Sequence, residues 1–336
     1  MGKWNLIRKL GWASAFAAGF ALSAQAAESW RMAHKMPPDS PEGMVFQRFA
    51  DLVGEYSNGE MDIKVFPNEQ LGKTNAVLEQ LKMGTVHLYA EGSTYMQKWV
   101  PEISWTSAAF LFDDRDHWVR FMNSEMVQEW YDRAANEAGV GVLGDPTAIL
   151  RGPYRVMVTK RDVKEFDDIG GLPLRMHPNK DAVATWTRIG ADVKTLPWTD
   201  VYSSIKSGIV AAVNSPIALV ESMRFYEVAP FVIRHDEYYQ SIGFMINQNA
   251  YDALPPELRE AVDKAYAEAG EYSFEIMGRV SDESIARMAS KGVEFRDIDR
   301  APFVDVMREY YAEKEAAGEL PEGFLAEVER TRTAMN

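Results

Sequence analysis

No cysteine occurs in the 336-residue sequence. Disulfide staples, thiolate nucleophiles and cysteine-ligated zinc or iron–sulfur centres are therefore excluded. Positive charge is also scarce: 36 Lys and Arg stand against 50 Asp and Glu, a net charge of −14. Such a surface repels phosphate backbones and anionic bilayers, which argues against a nucleic-acid partner. It does not exclude a small anion, because one local cation outweighs a distant negative field. Beyond the N-terminal segment no stretch approaches the roughly 18 apolar residues needed to span a bilayer. His34, His87, His117, His177 and His235 show no HExxH or comparable spacing, and there is no P-loop and no G-x-S-x-G elbow. The sequence thus carries no recognisable catalytic, metal or cofactor motif.

What is present begins at the N-terminus. Lys3, Arg8 and Lys9 precede a small, apolar run over Gly11–Ser23, and Ala24-Gln25-Ala26 matches an A-x-A cleavage pattern. Residues 1–26 read as a secretory signal peptide cut before Ala27, which places the mature chain in the periplasm. Losing three positive charges leaves it at −17. From there the chain alternates. A strand at Trp30–Ala33 leads through the Ser40-Pro41 cap into a helix ending near Asn58-Gly59. Strands at Met61–Phe66 and Thr85–Ala90 flank an amphipathic helix over Lys73–Met83. This order implies a parallel sheet with helical crossovers. Two short helices are expected within Asp113–Ala135, and strands at Val140–Leu143 and Tyr154–Lys160. Gly171–Pro216 reads strand–helix–strand–helix–strand. A long strand is expected at Tyr238–Asn247, and a long helix at Pro255–Met288, with possible bends at Gly270 and Gly278. A strand at Val293–Ile298 and helices at Ala301–Ala316 and Pro321–Met335 complete the chain.

Several patterns carry two readings. Gly139, Gly141 and Gly144 spell G-x-G-x-x-G, but a helical pattern precedes them and Pro146 follows, the reverse of what a dinucleotide turn needs. They read as the flanks of a buried strand. Asp113, Asp114, Asp116 and His117 match no standard cation loop and suit a helix N-terminus. Arg175 follows an apolar strand and precedes His177-Pro178. Its planar fork suits a carboxylate, but composition alone favours a surface arginine in a structural ion pair. Trp198, after Pro197 and before Thr199, either covers a ligand or caps the core.

Five segments in order carry a resemblance: FADLVGEYSNGEMDIKVFPNEQLG (49–72), EQLKMGTVHLYAEGS (79–93), EFDDIGGLPLRM (165–176), ADVKTLPWTDVYSSIKSGIV (191–210) and RFYEVAPF (224–231). The chain resembles the solute-binding proteins of tripartite ATP-independent periplasmic (TRAP) transporters, of the C4-dicarboxylate-binding type. The resemblance implies an α/β fold of two lobes with a ligand cleft between them and a long bracing helix. It implies that Arg175 pairs with the ligand carboxylate, that Arg155 is a second ligand arginine, and that Trp198 packs on the ligand. Glu91 matches the acidic or polar residue at the exit of the third strand. Where the family often has asparagine before the proline ending a later strand, this chain has Ser215, with Asn214 just before it. The usual acidic residue a few positions earlier is replaced by Ala211 and Ala212.

The expected organisation is lobe I over 27–152 plus about 241–280, and lobe II over 153–240 plus about 281–336. The expected function is capture of a small organic acid by a monomer and its delivery to a membrane permease, with no cofactor or metal. An exported lyase or hydrolase acting on an organic acid is the alternative, with Glu91 or His177 as the nameable bases, and a two-lobed sensor domain ranks last. Trp198 and Ser215 lean the expected ligand toward a monocarboxylate with an apolar or aromatic body.

Overall fold

The computed structural model describes residues 27–333, so the predicted signal peptide lies outside the described residues. In chain order the elements are β1 (Glu28–Ala33), α1 (Pro41–Tyr56), β2 (Met61–Phe66), α2 (Thr74–Lys82), β3 (Leu88–Glu91), α3 (Arg115–Met122), α4 (Glu125–Ala138) and β4 (Val140–Val142). There follow β5 (Arg155–Thr159), β6 (Pro173–Met176), α5 (Lys180–Ile189), β7 (Asp192–Thr195), α6 (Val201–Ser207), β8 (Ala212–Pro216) and β9 (Phe231–Arg234). The chain ends with β10 (Gly243–Asn247), α7 (Gln248–Asp252), α8 (Pro256–Ser290), β11 (Glu294–Asp297), α9 (Ala301–Ala316) and α10 (Phe324–Arg332).

Two sheets result, in the orders β2-β1-β3-β10-β4 and β11-β9-β5-β8-β6-β7. β1, β2 and β3 are parallel, as their helical crossovers require. β10 enters antiparallel between β3 and β4, and β5 antiparallel between β8 and β9. The chain therefore crosses between lobes after β4 and again before β10. The two crossing segments pair at Leu150 and Ser241, and Ile242 N–H donates to Ile149 C=O at 2.9 Å. The expected long strand at Tyr238–Asn247 is thus shorter. Residues 238–242 leave the ladder because they line the cleft and form this crossing.

Three cores hold the fold. Trp30, Phe46, Phe49, Phe244 and Tyr266 pack the first sheet against α1 and α8. Val158, Val201, Val213, Phe225 and Met288 fill the second lobe. A third core joins Phe121 and Trp130 to Trp186, Phe303 and Phe324 across both lobes. α1 starts where Ser40 Oγ accepts from Gly43 N–H at 3.0 Å, with Pro41 at the first helical position. Asp114 caps α3 in the same way, accepting from His117 N–H at 2.7 Å. His117 is buried against the Val328 carbonyl at 2.8 Å, so the acidic cluster is a helix start. No cation-binding group of His, Asp or Glu occurs among the described residues. Gly139 takes the left-handed conformation that ends α4, and β4 follows directly, as the strand-flank reading of the glycines expects.

α8 runs 35 residues without a break, about 52 Å at 1.5 Å per residue. Leu258, Val262 and Ala269 pack in the first lobe and Met288 in the second, so the helix braces both. The helix continues through both Gly270 and Gly278. A Cβ at Gly270 would lie 3.0 Å from the Ala148 carbonyl oxygen, so glycine here permits close approach of the crossing segment. Phe274 on this helix is exposed and lies under the Arg115 guanidinium at 5.0 Å. The last helix also departs from expectation. Residues from about 281 to 336 are expected in lobe II, whereas α10 packs on α3 of the 27–152 segment, where Arg120 donates to the Thr331 and Arg332 carbonyls. Helical periodicity shows which face is apolar, not which lobe covers it.

Candidate ligand-binding site

The C-terminal ends of the parallel strands converge between the lobes, the end of an open α/β sheet where ligands bind. Lys35 follows β1, Glu91 ends β3, Arg175 lies near the end of β6, and Asn214 and Pro216 lie on β8. Together with Arg151, Arg155, His177, Trp198, Tyr95 and Gln240 they line a cavity of about 60 Å³. Past Tyr95 and Gln97 it meets a wider groove of about 920 Å³ reaching Glu79, Lys98 and Asp181.

Most of the charges here pair among themselves. Glu91, 2% exposed, accepts from Lys35 Nζ at 2.8 Å and from Arg151 Nη1, while its own Oε1 also takes the Gly92 N–H at 2.9 Å. Burial alone would raise this carboxyl, but Arg151 and Lys35 outweigh it and hold it far below the usual range. Arg151 turns its other edge to Glu42 in a two-pronged pair, Nε to Oε1 at 2.9 Å and Nη2 to Oε2 at 3.1 Å. Burial pushes Glu42 up, yet accepting two guanidinium N–H groups favours its ionised form. Arg155 Nε pairs with Glu237 at 3.1 Å, and Nη1 donates to Gln240 Oε1 at 2.9 Å. The second oxygen of Glu237 accepts from Trp186 Nε1.

Arg175 is the exception. It is 5% exposed, its Nε donates to the Leu196 carbonyl at 2.9 Å, and among the described residues no carboxylate pairs with it. Its guanidinium carbon sits 5.3 Å from the Trp198 ring. Burial lowers its pKa to about 10, far enough above neutrality to keep the charge. Burial, and then Arg175 itself, holds His177 well below its ordinary value, so that ring is neutral. Two further donors in the lining lack partners: Trp198 Nε1 and Asn214 Nδ2 are buried and unbonded. Asn214 Oδ1 lies 3.2 Å from His235 Nε2. His235 is held neutral by burial, and its single N–H placed on Nε2 satisfies Oδ1 and leaves the Asn214 amide N–H groups free.

A solute-binding family model, described as bacterial extracellular solute-binding protein, family 7, matches residues 32–317. The chain belongs to this family. The solute-binding protein is 27% identical over 292 residues, 86% of its length and 88% of the relative's, to the 2,3-diketo-L-gulonate-binding periplasmic protein YiaO of Escherichia coli. It is 24% identical to the C4-dicarboxylate-binding periplasmic protein DctP of Rhodobacter capsulatus, covering 82% and 83% of the two chains. Its fold matches a TRAP periplasmic solute-binding protein from Ochrobacterium anthropi with bound L-fuconate: TM-score 0.83, 21% identity, 92% of this chain and 100% of that one. These relatives are binding proteins, and the enzyme alternative has no support among them. Nor does the site favour it: Glu91, twice ion-paired, is too weak a base at neutral pH.

Of the residues singled out in the sequence of this solute-binding protein, Arg175, Arg155, Trp198, Glu91 and Asn214 line one cavity. Ser215 does not. Successive residues of β8 face opposite ways, so Asn214 and Pro216 reach the cleft and Ser215 turns from it, donating to the Pro216 carbonyl at 2.9 Å. The leaning toward an apolar or aromatic ligand loses its support from Ser215, while Trp198 stays in a lining that polar and apolar groups share. Sequence reasoning missed Lys35, Arg151, Tyr95, Glu237 and Gln240. Lys35 was the most accessible signal, since it follows a predicted parallel strand as Arg175 does.

Proposed function

We propose that this chain captures a small organic acid in the periplasm through Arg175 and delivers it to the membrane permease of a TRAP transporter. The observation that carries the reading is a buried guanidinium with no acidic partner at the closed end of an interlobe cleft. An unpaired buried charge is costly, and a carboxylate accepting both Nη groups offsets that cost while satisfying a planar fork. The acids named for relatives, 2,3-diketogulonate and L-fuconate, carry such a group. Closure follows from the same geometry: Lys35, Glu91 and Arg151 belong to one lobe and Arg175, Trp198 and Asn214 to the other, so a ligand touching both favours the closed form.

The test is isothermal calorimetry on ligand-free protein with a panel of sugar acids including L-fuconate, D-galactonate and 2,3-diketo-L-gulonate. Losing the partner of a buried charge costs about 3–5 kcal/mol. Arg175→Ala is therefore expected to weaken the best-binding acid about a hundredfold or more. A dissociation constant close to that of the unmodified protein would remove Arg175 from the carboxylate site.

A further inference from the structure

The charges lining the cleft do not offer two anions a place. Lys35 and Arg151 are balanced by Glu91 and Glu42, and Arg155 by Glu237. His177 is neutral at physiological pH. One positive charge, that of Arg175, is left over. Beside it stand uncharged donors without partners, Trp198 Nε1 and Asn214 Nδ2. The one carboxylate in the lining, Glu91, offers only acceptors.

We infer that the site selects a monoanionic acid whose remaining body is neutral and oxygen-rich, and that Glu91 excludes dicarboxylates of the same skeleton. This rests on Arg175 being the carboxylate anchor. With Arg175 engaged, a second carboxylate finds every other cation committed and meets an ionised Glu91 in a desolvated cleft. It stays unpaired or displaces an internal salt bridge, and both are costly. A hydroxyl in the same place donates to Glu91 and accepts from Trp198 or Asn214, so its oxygen is satisfied in both roles. Selectivity is then built from a repulsive element as much as from an attractive one. The site thereby departs from the C4-dicarboxylate preference that one relative's name carries.

The experiment pairs acids that differ in one carboxylate. D-galactonate and D-gluconate are titrated against galactarate and D-glucarate, with succinate and L-malate as short dianions, using the full mature chain stripped of ligand. The expected result is that at least one monoanion binds about a hundredfold or more tighter than its dianionic counterpart. Glu91→Gln is expected to narrow that ratio at least tenfold, chiefly by improving dianion binding. Since this variant disturbs a buried network, its melting curve is recorded, and the ratio in the unmodified protein decides the inference alone if the variant does not fold. A dianion that binds as tightly as the best monoanion, and is lost in Arg175→Ala, overturns the monoanion inference and leaves the anchor standing. Binding that survives Arg175→Ala overturns the anchor itself. Failure of all six acids to bind overturns the inferred ligand class.

Discussion

At the scale of single residues, the cleft divides its charged groups into ion-paired ones, which hold the structure, and Arg175, which has no acidic partner among the described residues. Glu91 belongs to the first group as well as to the lining. Glu91→Ala leaves Lys35 and Arg151 buried with fewer partners, and is expected to cost about 3–5 kcal/mol of stability. Chemical denaturation of the ligand-free protein measures it, and a change under 1 kcal/mol would show the network to be dispensable. Arg175 differs in kind: its removal takes away a charge with no acidic partner among the described residues, and is expected to touch affinity before stability. Local sequence could not separate these two roles. Both arginines follow apolar stretches, and whether a carboxylate lies opposite depends on chain segments 60 or 109 residues away, as the Arg151 pairs with Glu91 and Glu42 show. The resemblance to known solute-binding proteins selected Arg175 where its neighbours in sequence did not.

At the scale of elements, most boundaries were legible because the signals are local. Ser40-Pro41, Asp114 and Gly139 start or stop helices through bonds made within a few residues. The long helix was legible as well, and it runs unbroken through both of its glycines. Their separate roles give a matched pair of variants. Nothing lies within 4 Å of a Cβ placed at Gly278, so Gly278→Ala is expected to raise stability by up to about 1 kcal/mol through helix propensity. Gly270→Ala gains the same propensity but meets the Ala148 carbonyl at 3.0 Å, and is expected to fall below Gly278→Ala by about 1–3 kcal/mol. Urea midpoints compare the two directly. Equal midpoints would mean that the crossing segment moves aside freely.

At the scale of the whole molecule, folding carries neutral histidines into the interlobe region. Burial lowers His34 to about 4, against an opposing pull from Glu91, and holds His177 and His235 well below their ordinary value. The unfolded chain takes up these protons below about pH 6.5 and the folded chain does not. Stability is therefore full above pH 6.5 and falls as pH drops toward 4, by about 1.4 kcal/mol per pH unit for each such histidine. Melting temperatures between pH 7.5 and 5 check this, and a flat profile would mean that the rings protonate in place. The sequence by itself determined the α/β alternation, the two-lobed family fold, the long helix and five of the residues that line the cleft. Those follow from local caps, from hydrophobic period and from motifs that survive as contiguous strings. Only the tertiary structure decided which cations remain free, that Ser215 turns from the cleft, and that the last helix returns to α3. Each of these depends on which distant segment supplies the opposite charge or covering face, and no local period in the chain encodes that pairing.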